Sequence, residues 1–265
     1  MRRLPFNLRV EFKIFLSAIQ YFTRIPMPRW VGHSALNLQK ILRYFPMVGW
    51  ITGLATATAV LLFRPVLPIY LVVILALMVG VAITGAMHED GLADFVDGFW
   101  GGQTRQQILS IMKESTIGVY GALGLSLILM LRIGCWIALA PSLGKWGWFW
   151  LLLSGQALSR ALAQWVTAFL PYVREHSFTK AGMVVNVVGK TDHMVASVGG
   201  IIPVWMLMQY FDRERVLYGL LAALGVFWLL LRLLKKRLQG YTGDCLGAVQ
   251  QFTEVAFYVG VLLNF

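Results

Sequence analysis

The sequence predicts an all-α fold, a polytopic membrane bundle of about seven spanning helices (six to eight), preceded by a helix lying in the membrane interface. Three observations carry this. Apolar residues make up 58% of the chain and charged residues 13%, against roughly 25% charged in soluble domains. The apolar residues gather into runs near the ~20 residues that cross a hydrocarbon core. Lys and Arg divide unequally between the loops that these runs separate.

The elements follow in order. Residues 6–23 mix Phe6, Leu8, Val10, Phe12, Ile14, Phe15 and Ile19 with Arg9, Glu11 and Lys13, which suits a helix lying in the interface. Thr23-Arg-Ile-Pro-Met-Pro28 ends it, because proline cannot continue a helix. The first span, 44–63, opens at Tyr44-Phe-Pro46, where proline is tolerated in a first turn. The other spans are predicted at 66–87, 117–140, 147–169, 192–210, 215–234 and 246–264. Between the second and third, Gly85–Gly102 leaves the membrane at the cytoplasmic surface. There Asp90–Trp100 forms one or two extra helical turns, broken by Gly98, Gly101 and Gly102. Arg105–Glu114 is a short helix on the membrane, and Ile117-Gly-Val-Tyr-Gly121 with Gly124 leads into the third span on small residues that let helices approach. The chain reads as one domain, 1–265, without linker or repeat. Cys135 and Cys245 suggest neither a disulfide framework nor a thiolate metal site. No cleavable signal peptide is expected, since Met1–Arg43 has no small-residue cleavage site after an apolar core.

With the N-terminus cytoplasmic, sixteen of the 23 Lys and Arg fall on the cytoplasmic side, four on the other and three (Arg132, Arg160, Arg232) within spans. That fits the positive-inside rule and places every polar, motif-like loop on the cytoplasmic face. The net charge of +11 then reflects topology plus attraction to anionic lipid or phosphate. Nucleic-acid binding is not expected. The oligomeric state is left open, a homo-oligomer included.

The chemistry concentrates in Gly85-Ala-Met-His-Glu-Asp-Gly-Leu-Ala-Asp-Phe-Val-Asp-Gly98. Of twelve acidic residues, five (Glu89, Asp90, Asp94, Asp97, Glu114) fall within 26 positions. On a helix the spacing puts Asp90, Asp94 and Asp97 within about 60° of one face. Like charges gathered this way are costly unless a cation neutralises them. Oxygen ligands favour magnesium, calcium or manganese, and magnesium held by a few carboxylates with phosphate completing the shell is common in phosphoryl transfer. The bland alternative is a solvated helix end whose acids cap or pair locally. His88 is either a general base, from its ordinary pKa near 6.5, or a hydrogen-bond partner that orients an aspartate. Glu89 is a further candidate ligand.

Four more groups are candidates. Lys113-Glu-Ser-Thr-Ile-Gly118 offers Glu114 as a ligand and Lys113 and Ser115 as substrate contacts, against a surface ion pair of little value. Arg160, in Ser159-Arg160, lies at membrane depth, where a guanidinium faces a polar cavity; it holds phosphate or pairs with a carboxylate. Gly189-Lys-Thr-Asp192 is not a phosphate loop, because the position five before Gly189 is Val184; Lys190 and Asp192 remain candidate substrate contacts. In Tyr241-Thr-Gly-Asp-Cys-Leu-Gly247, Asp244 either caps the last helix or serves the site.

His88-Glu-Asp-Gly-Leu-Ala-Asp-Phe-Val-Asp-Gly98 and Ile111-Met-Lys-Glu-Ser-Thr-Ile-Gly-Val-Tyr-Gly121 resemble the signature of the adenosylcobinamide-GDP ribazoletransferase (cobalamin synthase) family. So do Phe22-Thr-Arg-Ile-Pro26, Tyr44-Phe-Pro-Met-Val-Gly49, Leu158-Ser-Arg160, Gly189–Asp192 and Thr242–Gly247, in family order over nearly the whole chain. One departure is Glu114-Ser115, where the family usually has Asp-Ser. The resemblance implies a magnesium-dependent enzyme of the inner membrane. It joins adenosylcobinamide-GDP to α-ribazole, or its 5′-phosphate, and releases GMP. Asp90, Asp94 and Asp97 would hold the metal; His88 or an aspartate would take the hydroxyl proton; Arg160, Lys113 and Lys190 would contact phosphate. A CDP-alcohol phosphotransferase is the nearest rival, but Asp90-Gly91 is followed by Ala93-Asp94 and not by its Ala-Arg. A cation transporter expects acids near mid-membrane.

Overall fold

The computed structural model describes residues 8–32, 40–173 and 188–263. Phe6, residues 174–187 with Val184, and the end of the last predicted window lie outside the described residues. The described chain is helical, with one isolated bridge between Tyr172 and Tyr241. Ten helices follow one another: α1 Leu8–Phe22, α2 Phe45–Phe63, α3 Ile69–Thr84, α4 Met87–Gly101 and α5 Arg105–Ile111, then α6 Val119–Leu139, α7 Lys145–Phe169, α8 Lys190–Tyr210, α9 Arg213–Arg237 and α10 Gly243–Leu262.

Each of the seven predicted windows holds one helix, so the all-α polytopic reading stands. The segment through α2, and α6, α9 and α10, are long and apolar enough to cross a membrane; α3 with α4 makes a fifth if that bent pair counts as one span. α7 and α8 have the length, 25 and 21 residues, but carry buried polar side chains such as Gln156, Arg160 and Asp192. Leu123, Leu127 and Met130 on α6, and Leu221 and Trp228 on α9, are exposed, as lipid-facing positions are. α1 buries Ile14, Ala18 and Phe22 against the bundle and leaves Leu8, Val10 and Phe12 outside.

Helix starts follow local chemistry. Pro46 sits in the first turn of α2. Thr104 and Gln107 cap α5 reciprocally, and Asp212 accepts from the Glu214 N–H at the start of α9. α7 is the central strut, buried along most of its length. α2 meets it backbone to backbone. A Cβ on Gly49 would lie 2.5 Å from the Gln156 carbonyl oxygen, and one on Gly53 2.9 Å from Leu153 Cα. Small residues one turn apart allow this approach.

The main departure from expectation is α4. The sequence suggested a few surface turns extending the second span; the structure has a separate 15-residue helix set at 90° to α3. Two consecutive left-handed residues, Gly85 (φ 65°) and Ala86 (φ 60°), make the corner. α3 has 16 residues and so is about 24 Å long, short of a ~30 Å core. α4 does not stop at Gly98 but runs to Gly101, because Leu92, Phe95, Val96 and Phe99 bury its apolar side. It packs against α10, α6 and α5.

Candidate active site

α4 divides the polar residues of the motif between two environments. At about 100° per residue, His88 points nearly opposite to Asp90 and Asp97. His88 and Glu89 are buried, Asp90 is exposed and Asp94 lies between. The helix thus has a carboxylate side open to solvent and a His-Glu side facing the bundle interior.

The open side borders a cleft of about 490 Å³, within the range of small-molecule sites. Gln20, Tyr21, Thr23 and Arg24, at and just after the end of α1, line it together with Thr84, the corner Gly85-Ala86-Met87 and Asp90. The backbone of Asp244 abuts Gly91: a Cβ there would lie 3.0 Å from Asp244 Cα. The first turn of α10 therefore reaches α4 beside Asp90 and one turn from Asp94. Thr242, whose hydroxyl accepts from the Cys245 N–H at 3.3 Å, caps α10. This corrects the capping reading of Asp244, whose carboxylate accepts from the Thr242 hydroxyl at 3.4 Å. Burial, then Tyr172 and Asp244, push the Tyr21 phenol above its ordinary pKa, so it remains a neutral donor beside the cleft.

Asp97 has a different task. Its two oxygens accept from the Gly118 and Gly121 N–H groups at 2.7 and 2.8 Å. These are unsatisfied donors of the first turn of α6, and a carboxylate there also complements the helix dipole. A Cβ on Gly121 would overlap this carboxylate and lie 2.7 Å from the Ala93 carbonyl oxygen. Asp97 thus anchors α6 to α4, which corrects its assignment to the same metal site as Asp90 and Asp94. Asp97→Ala is expected to cost about 2–4 kcal/mol, since two bonds to a charged acceptor are lost. Asp97→Asn, which keeps one acceptor oxygen, should cost less. Thermal unfolding of both variants in detergent checks this, and equal melting temperatures for wild type and Asp97→Ala would remove the anchoring role.

The inner side of α4 meets a buried polar network. Glu89 Oε1 accepts from Gln251 Nε2 at 2.9 Å, and Gln251 Oε1 accepts from Arg132. Arg132 lies 3.4 Å from Glu254, which also accepts from Gln156 (2.9 Å), Gln250 (2.5 Å) and Tyr258 (3.2 Å). Arg160 donates to the Gln156 carbonyl and side-chain oxygens at 2.9 and 2.6 Å, with its guanidinium 5.6 Å from the centre of the Phe45 ring. His88 and Glu89 share with Arg132, Arg160, Gln250 and Glu254 a cavity of about 10 Å³, room for about one water. Two carboxylates and two guanidiniums thus compensate one another in the interior. His88 and Glu89 are on the wrong side of α4 to serve as base or ligand in the cleft, and, among the described residues, Arg160 bonds to Gln156 rather than forming the carboxylate ion pair offered as its structural alternative.

The remaining candidates disperse. Asp192 accepts from the Gly189 N–H at 2.7 Å and pairs with Arg43. Arg43 also binds Glu11 at 2.8 Å, so Asp192 ties α8 to α1 and to the turn before α2 and is not placed as a substrate contact. Lys190 is exposed at the same helix start. Lys113, Glu114 and Ser115 are exposed in the link from α5 to Gly118. Among the described residues no group of three or more His, Cys, Asp or Glu is arranged to hold a metal ion. Sequence reasoning missed Arg24 and Tyr21, which carry no motif chemistry. It also missed Glu254, which was legible as an acid inside the predicted span 246–264.

Fold and site together define an integral-membrane helical protein with a cleft bordered by Asp90 at a bent helix pair. The cobalamin-5-phosphate synthase family model matches residues 14–262, and the chain belongs to that family. It is 33% identical to the adenosylcobinamide-GDP ribazoletransferase of Leptospira interrogans over 97% of this chain and 98% of the relative. It is 36% identical to that of Shewanella baltica strain OS155 over 96% and 95%. With that of Shewanella frigidimarina the identity is 37%, over 95% of each chain. No solved structure matches the chain.

Proposed function

We propose that this chain joins adenosylcobinamide-GDP to α-ribazole, or its 5′-phosphate, giving adenosylcobalamin or its 5′-phosphate and GMP. Membership of the family, with relatives of that name matched from end to end, supports the reaction. The observation that carries the site is the open cleft lined by Asp90, with Asp94 one turn further along the same side of α4. A ribose hydroxyl of ribazole other than the 5′, which stays phosphorylated in the alternative substrate and its product, attacks the phosphorus attached to cobinamide. The new O–P bond forms as the bond to the GMP phosphate breaks, and the hydroxyl proton passes to a cleft carboxylate. Such transfers need positioning and charge neutralisation more than covalent help.

Magnesium fits the donor set. Asp90 and Asp94, one turn apart, offer only carboxylate oxygens, and magnesium usually takes one or two carboxylates and completes its shell with water and phosphate oxygens. Asp90 and Asp94 would hold it, with Asp244 beside them. When bound it neutralises charge on the diphosphate. Glu89, turned inward onto Gln251, is left out of this set; Glu114 lies on the exposed link. We place the protein in a bacterial or archaeal cytoplasmic membrane, multi-pass, with the cleft facing the cytoplasm. The uneven distribution of Lys and Arg supports that orientation, and water-soluble ribazole reaches it there.

Purified protein in detergent, given adenosylcobinamide-GDP, α-ribazole and magnesium, is expected to form the cobalamin product and GMP in equal amounts, followed by chromatography and mass spectrometry. Chelator-treated protein is expected to fall below about a hundredth of that rate, as loss of several kcal/mol of charge stabilisation implies. Absence of product with magnesium overturns the reaction; full turnover after chelation overturns the metal assignment.

A further inference from the structure

The cleft contains one cation that the family signature does not single out by chemistry. Arg24 follows α1, and its backbone is tightly held. Thr23 Oγ1 donates to the Ile19 carbonyl at 2.7 Å and accepts from the Ile25 N–H at 3.2 Å. The Arg24 N–H donates to the Ile83 carbonyl at 2.7 Å, in the last turn of α3. These bonds fix where the residue leaves the chain although it is exposed.

The side chain is also laid down. It runs across Gly85, where an added Cβ would overlap Nε and lie 2.9 and 3.0 Å from Cγ and Cδ. Gly85 is therefore needed twice, for its left-handed backbone and for the space that Arg24 occupies. The corner that turns α3 into α4 thus holds the Arg24 side chain in the cleft that Asp90 also lines. Among the described residues Arg24 makes no ion pair within 4.0 Å, whereas Arg43 and Arg132 do. An arginine that is held but not neutralised, in a cleft of about 490 Å³, is set to receive an anion.

The charges suit one class of anion. A diphosphate clamped by a divalent cation on one side and by a guanidinium on the other has both flanks neutralised, and the planar fork of arginine matches two phosphate oxygens at once. Arg160 does not line this cleft: it is buried in the interior network, where Nη1 donates to Gln156. We infer that Arg24 is a substrate-binding residue that contacts the diphosphate of the nucleotide-linked substrate, in the cleft that Asp90 also lines. This rests on the function proposed above for the identity of the nucleotide, but not for the presence of an anion site.

The test separates the two. Equilibrium binding of GDP, and of guanosine as the phosphate-free control, is measured by calorimetry with magnesium on the detergent-solubilised full chain, for wild type, Arg24→Ala and Arg24→Lys. Thermal unfolding verifies that the variants are folded. GDP binding is expected to weaken at least tenfold in Arg24→Ala and to recover in part in Arg24→Lys, with guanosine binding unchanged. Equal GDP affinity in wild type and Arg24→Ala, or no GDP binding by wild type, overturns the inference. Should GDP binding depend on Arg24 while wild type forms no cobalamin product, the inference stands and the proposed reaction falls. Should wild type form product and Arg24→Ala keep its KM for the GDP-linked substrate, the reaction stands and the inference falls.

Discussion

Asp94→Asn is expected to lower ribazole transfer below about a hundredth of wild type, while the protein still inserts, folds and melts at the wild-type temperature. The asparagine keeps the shape and one acceptor oxygen but removes the charge that a divalent ion requires; several kcal/mol of lost stabilisation correspond to two or more orders of magnitude in rate. Asp94 is half-buried on the open side of α4, away from Asp97 and its bonds to α6. The contrast with Asp97→Ala is therefore diagnostic: one variant should lose rate with little change in melting temperature, the other should lose melting temperature first. Assay of purified protein in detergent at saturating magnesium measures the rate. Wild-type turnover by Asp94→Asn would remove this carboxylate from the mechanism.

The largest effect on stability is expected at Glu254. It is fully buried and accepts from four side chains, among them Arg132 and Gln156. Glu254→Ala leaves the Arg132 charge and three donors without their acceptor in the interior. Removing one member of a buried ion pair typically costs about 3–5 kcal/mol, a large share of a total stability of about 5–15 kcal/mol. The expected result is a sharp fall in melting temperature and in the yield of monodisperse protein from detergent. Glu254→Gln, which keeps the shape and one acceptor, should be milder. Glu254→Ala with a wild-type melting temperature would show that the network does not hold the bundle together.

These two residues mark how far the chain can be read before it is folded. Asp94 was visible because three aspartates at helical spacing in a chain poor in acids are conspicuous, and a helix puts them on one side whatever surrounds it. The same periodicity located all seven long helices, since apolar runs near twenty residues depend on composition alone. The division of labour within the motif was not visible. Whether an aspartate meets metal or a helix N-terminus depends on where α6 begins relative to α4. That is set by the glycines at 118 and 121, some twenty residues further on. His88 shares the motif but not the cleft, and neither the sequence nor the resemblance says which side of α4 is buried.

Arg24 and Glu254 show the same limit from the other direction. Arg24 is one basic residue among eight before position 44. Only the left-handed corner at Gly85 and Ala86, and the bond to Ile83, bring it into the cleft that Asp90 lines. Gln156, Gln250 and Gln251 carry no motif, and become a network because α7 and α10 pack together. Composition, charge asymmetry and helical spacing by themselves determined the membrane class, the helices, the orientation argument and the carboxylate face, because each is a property of one segment and its solvent. Tertiary structure decided which carboxylate lines the cleft, which hold helices together and which cation shares the cleft with Asp90. Those depend on contacts between segments far apart in the chain, and above all on the right-angle turn between α3 and α4.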